Sequence, residues 1–65
     1  MTQEVLDRLP ENIRKTVETW KDRIHDDRFD RNVAKGEARG YLKALIDTDT
    51  ISVRDFNVLW CYVTV

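Results

Sequence analysis

The last thirteen residues, Val53 to Val65, are apolar on nearly every side. At about 100° per residue, Val53, Phe56, Leu59, Trp60 and Val63 share one face of a helix. Val58, Cys61, Tyr62 and Val65 occupy much of the other, and only Arg54, Asp55, Asn57 and Thr64 are clearly polar. A helix apolar all round belongs in an interior. A chain of 65 residues has little to put around it, since so short a domain buries only about 60% of the surface its unfolded form exposes. Either the rest of the chain wraps this segment, or its second face meets another subunit. The β-branched and aromatic run Leu59–Val65 also suits a strand, so the start of the segment has to decide.

That start is well marked. Ser52 is an N-cap residue, and Asp55 stands three positions on, where its carboxylate can reach back to the Ser52 N–H as in a capping box. Ile51 before the cap and Phe56 after it have the spacing of a hydrophobic staple. These cues predict a helix from Val53 to about Thr64. The polar run Asp47-Thr48-Asp49-Thr50 ahead of it is turn-prone. Before the turn, Ala34, Ala38, Tyr41, Leu42 and Leu45 fall on one helical face, flanked by Val33 and Ala44. Asp30 is a plausible N-cap. Residues 31–47 and 52–64 therefore read as a helical hairpin. Tyr41–Leu45 followed by Ile51–Phe56 resembles short C-terminal helical hairpins of bacterial proteins, without the glycine usual in the turn; the resemblance implies a capped hairpin and no function.

The N-terminal part carries one narrow apolar stripe, Val5, Leu6, Leu9, Ile13, Val17, Trp20 and Ile24, at helical spacing. Pro10 interrupts it. Proline lacks an N–H but suits the start of a helix, so a short helix over 2–8 and a second from Pro10 to about Asp26 are expected, with one kinked helix as the alternative. Phe29 is expected to pin the following loop to the core. The whole is an all-α single domain over residues 1–65: a small antiparallel three-helix bundle with a short extra N-terminal helix.

Acids and bases nearly cancel, 12 against 11, which argues against a general nucleic-acid or membrane role. No apolar stretch approaches the roughly 20 residues of a membrane span, and the N-terminus lacks a signal-peptide pattern. One cysteine and one histidine give neither a disulfide nor a zinc signature, so a reduced, cytoplasmic setting with no cofactor is expected. His25 with Asp22, Asp26 and Asp27 reads as a charged helix end, not a metal site. A calcium loop from Asp47 would need glycine and glutamate where Ser52 and Val58 stand. Cys61 lies in an apolar run without the electropositive surroundings of a reactive thiol. No nucleophile–base pair or phosphate loop is present, so a non-enzymatic protein is expected.

Two patterns remain. Gly36, Gly40 and Ala44 form a small-residue row at spacing four, although glycine costs a helix interior about 1 kcal/mol relative to alanine. Close approach of another helix would offset that cost; the alternative is that both glycines are simply tolerated on an exposed face. Together with Val58, Cys61, Tyr62 and Val65, this row is the candidate surface for a homo-oligomer or another protein partner. Arg31, Lys35, Arg39 and Lys43 also recur every fourth residue, a ridge about 18 Å long at the helical rise. It is the candidate contact for an acidic partner or, as the alternative, for nucleic acid; otherwise it is an exposed face that pairs with acids of the first helix or keeps the chain soluble. The expected function is that of a small interaction or regulatory protein, such as a bacterial or phage accessory protein, that self-associates through its last helix.

Overall fold

The computed structural model describes residues Met1–Val65 and contains four helices and no strand. They are α1 (Thr2–Arg8), α2 (Glu11–Ile24), α3 (Arg31–Asp47) and α4 (Val53–Thr64). The last three form a small bundle, and α1 is the short extra helix. Pro10 separates two helices: it sits at the N-cap of α2, where its carbonyl accepts the Arg14 N–H at 2.9 Å. There its missing donor is harmless.

The apolar C-terminal segment is helical and central. Each of the other three helices packs against α4, and Leu59 and Val63 are 0% exposed. Val17 and Ile24 of α2, Ala34, Ala38, Leu42 and Leu45 of α3, and Val5 and Leu6 of α1 complete the core with Leu9 and Ile51. Every buried residue is apolar. The second face of α4 is partly met within the chain: Val58 lies beside α1 and Tyr62 reaches Glu18 of α2, while Cys61 and Val65 stay exposed.

The junction before α4 is built from local hydrogen bonds. Thr50 N–H donates to Leu45 O and Asp49 N–H to Ile46 O, both at 2.9 Å, the pair of bonds that defines a Schellman ending. Asp49 takes the left-handed position of that motif with φ 58°, the place usually filled by glycine. Only Ile51, which is buried, separates this ending from the capping box that starts α4. Asp55 N–H donates to Ser52 Oγ at 3.0 Å, and Ser52 N–H to Asp55 Oδ2 at 3.4 Å. The other face of the Asp55 carboxylate accepts from Arg8 Nη2 at 3.1 Å. One side chain therefore starts α4 and ties α1 to it.

The loop between α2 and α3 is polar in its anchoring. Asp26 accepts from the Arg28 N–H at 3.0 Å and from its guanidinium at 2.7 Å, which lowers the Asp26 pKa to about 2. Asp30 caps α3, accepting from Asn32 and Val33 N–H groups. The expectation that Phe29 pins this loop to the core is corrected: Phe29 is 45% exposed. Ile24 and Ala34 already close the core at this end, and the Asp26–Arg28 and Asp30 bonds hold the loop.

Three substitutions test this account by denaturant unfolding. Ser52→Ala should cost about 1 kcal/mol through loss of the cap. Asp49→Gly should stabilise by about 0.5–1 kcal/mol by relieving the left-handed residue. Leu59→Ala should cost about 2–5 kcal/mol, a large part of the roughly 3–10 kcal/mol expected for a chain this size.

Candidate interaction surface on α3

The helix α3 has two unlike halves. Ala34, Ala38, Leu42 and Leu45 point into the core, and Tyr41 is half-buried. On the opposite side Gly36, Gly40 and Ala44 are exposed. A Cβ built on either glycine would meet no atom within 4 Å. The glycines therefore do not serve packing inside the chain. Val33 continues the row toward the helix N-terminus at 56% exposure, and Phe29 adjoins it from the loop.

The cationic ridge runs alongside, with one change. Arg31 turns back to donate from Nε to the Ile24 carbonyl at 3.3 Å, closing the C-terminus of α2. Lys35, Arg39 and Lys43 remain, spanning about 12 Å at the helical rise. The ion pairs of the fold are Arg8–Asp55, Lys15–Glu11 and Arg28–Asp26; none involves the ridge. Its cations have no carboxylate within 4.0 Å. The acids nearest in helical register are Asp47, one turn beyond Lys43 on the ridge itself, and Glu37, on the far flank of the small-residue row.

The α4 candidates stand elsewhere. Cys61 and Val65 are exposed and Val58 and Tyr62 half-buried. Cys61, Tyr62 and Val65 line a shallow groove with Thr2 and Lys21, on the α1 and α2 side of the bundle. The small row faces away from the core on α3. The seven candidate residues thus do not lie together: the small row is on α3, Cys61, Tyr62 and Val65 line the groove on α4, and Val58 lines a separate concavity beside α1.

Tyr62 is the polar centre of the α4 groove. Its hydroxyl donates to Glu18, with carboxylate oxygens at 2.7 and 2.8 Å, and the Lys21 ammonium lies 3.8 Å from the ring centroid. The hydrogen bond to Glu18, followed by partial burial and the Glu18 and Asp22 charges, pushes the Tyr62 pKa up to about 12. Aromatic residues beside α3 form a further cluster that periodicity did not reveal. The Arg23 guanidinium lies over both Trp20, at 5.1 Å, and Phe29, at 5.7 Å. Together with Val33 and Glu37 they border a groove of about 280 Å³ at the N-terminal end of the exposed row. The largest concavity, about 690 Å³, lies between α1 and the start of α4, with the Arg8–Asp55 pair in its wall.

No group of three or more histidine, cysteine or acidic side chains is placed to hold a metal ion. No helix is long and apolar enough to cross a membrane. Comparison with protein-family models, with curated proteins and with solved structures finds no match to the chain.

The Tyr62–Glu18 bond has a measurable signature. The phenol loses its proton near pH 10 in the unfolded chain but near 12 in the fold. The folded state therefore holds the proton longer, and the associated stability, complete below pH 10, is lost as pH rises toward 12. In a Tyr41→Phe background, ultraviolet titration should show phenolate forming about 2 pH units above the usual value. Adding Glu18→Gln should move the midpoint back down.

Proposed function

We propose that this chain is a small non-enzymatic interaction protein whose contact surface is the outer face of α3. The observation that carries the reading is the pair of glycines in the middle of a 17-residue helix with open space over both. Each weakens the helix by about 1 kcal/mol relative to alanine, and no neighbour in the fold needs the missing side chain. A partner that approaches the backbone closely does. The unpaired Lys35, Arg39 and Lys43 beside them supply charge for the same contact.

Self-association is a form of this reading, with a second copy as the partner. The exposed Cys61 and Val65 add a smaller apolar surface on α4. Light scattering at micromolar concentration measures it directly: a dimer supports self-association and a monodisperse monomer ends it. The three unpaired cations also favour a second reading, contact with nucleic acid. That reading requires binding that falls steeply with salt, and no binding of DNA or RNA at about 50 mM salt ends it.

The surface is tested by replacing Ala44 with a photo-crosslinking phenylalanine analogue in the chain expressed in its native host. A discrete adduct is expected from this position and none from Asn12 on the exposed side of α2. Absence of an adduct at Ala44 removes the reading. Gly36→Ala and Gly40→Ala separate stability from function: each should raise the unfolding free energy by about 0.5–1 kcal/mol, while together they weaken adduct formation by a partner.

A further inference from the structure

We infer that the occupant of the α3 face is a helix of another protein that carries carboxylates one turn apart along one flank. This rests on the interaction reading above and specifies the chemistry of the partner. Lys35, Arg39 and Lys43 stand one turn apart on α3 and have no acid within 4.0 Å. Acids three or four residues apart on a helix laid beside α3 repeat at the same interval. Complementary charge placed in that register fixes orientation and excludes wrong partners. The glycines set the distance: with nothing over Gly36 and Gly40, the incoming backbone can come close enough for short acidic side chains to reach the ridge. Val33 and Phe29, both exposed, give the contact an apolar end.

The charge pattern argues against a second copy. In an antiparallel pair related by a two-fold axis, like flanks of the two helices face each other. The three cations of one copy would meet the same three of the other. In a parallel pair the cationic flank meets the flank bearing Glu37, a single acid against three bases. Neither arrangement neutralises the ridge. Nucleic acid fits less well than an acidic helix. Its phosphates would lie across a footprint that includes Glu37 and Asp47, on a chain of net charge −1, and an exposed apolar end at Val33 and Phe29 offers them nothing.

The probe is a synthetic alanine-rich helical peptide of about 18 residues with glutamate at every fourth position along one flank. It is titrated into the intact, isotopically labelled chain while amide chemical shifts are followed. Shifts confined to residues 33–44 are expected. Binding should weaken about tenfold or more both in Lys35→Glu/Arg39→Glu/Lys43→Glu and in Gly40→Leu. The Gly40→Leu variant keeps every charge and changes an exposed position, so it folds and removes only close approach. Equal binding by Gly40→Leu overturns the proposal, because attraction would then be purely ionic. So do tighter binding of an oligonucleotide of equal charge, equal binding of a peptide with lysine in place of glutamate, or no binding of the acidic peptide. An adduct at Ala44 without peptide binding ends this inference and leaves the α3 face as an interaction surface; no adduct at all ends both.

Discussion

The side chains of Leu59 and Val63 are screened from solvent by helices drawn from three separate parts of the chain. Burying each contributes about 1.5–3 kcal/mol, and α4 is the helix that packs substantially against all three others. This burial explains α1 in particular. A helix of seven residues is far below the length at which isolated helices persist in water. Its first turn also lacks a side-chain cap. It forms because Val5, Leu6 and Leu9 are buried in the core and complete the cover over α4. The Arg8–Asp55 bridge, with Arg8 mostly in solvent, adds at most about 1 kcal/mol; it orients α1 more than it holds it.

For Leu59 and Val63 to point inward, α4 must begin at the right residue. A start shifted by one position would turn every side chain by about 100° and bring Trp60 and Thr64 to the centre. The junction prevents this by fixing both sides of Ile51. The Schellman bonds to the Leu45 and Ile46 carbonyls end α3 at Asp47, and the Ser52–Asp55 box opens α4 four residues beyond Thr48. Ile51, buried between them, has no slack. Two acids of this stretch serve the chain path. Asp55 accepts from the helix N-terminus, where negative charge is also favoured by the helix dipole. Asp49 tolerates the left-handed conformation better than most residues without being glycine.

Helix positions were readable because their determinants are local. Asp30, Ser52 and Asp55 bond to backbone two or three residues away, so spacing alone carries the information. The apolar faces of α2 and α3 were readable for the same reason. What joins distant residues was not. Arg8 meets Asp55 and Tyr62 meets Glu18 across more than forty positions, and no periodicity marks either pair. Phe29 shows the limit at a single residue: an aromatic in a loop is buried only if something stands above it, and here Arg23 does so from outside the core. Likewise the ridge of four cations looked uniform in sequence, but Arg31 lies beside the end of α2 and turns to its last free carbonyl. The separation of the candidate association residues depends on how α4 sits among its neighbours, which the sequence pattern of one helix does not contain.

The unequal halves of α3 follow from how its ends are held. Two interior glycines weaken it by about 2 kcal/mol in total. The Asp30 cap contributes about 1 kcal/mol, the Schellman ending satisfies the C-terminal carbonyls, and four buried side chains anchor the inner face. The helix therefore stands without anything covering its outer side. For the proposed contact, a bare face that is already helical would lose little conformational freedom on association, which lowers its entropic cost. Had the glycines been placed near either end, fraying would have opened the backbone and removed that advantage. Their position at the centre, between two well-capped termini, keeps the exposed backbone helical and its cations in register.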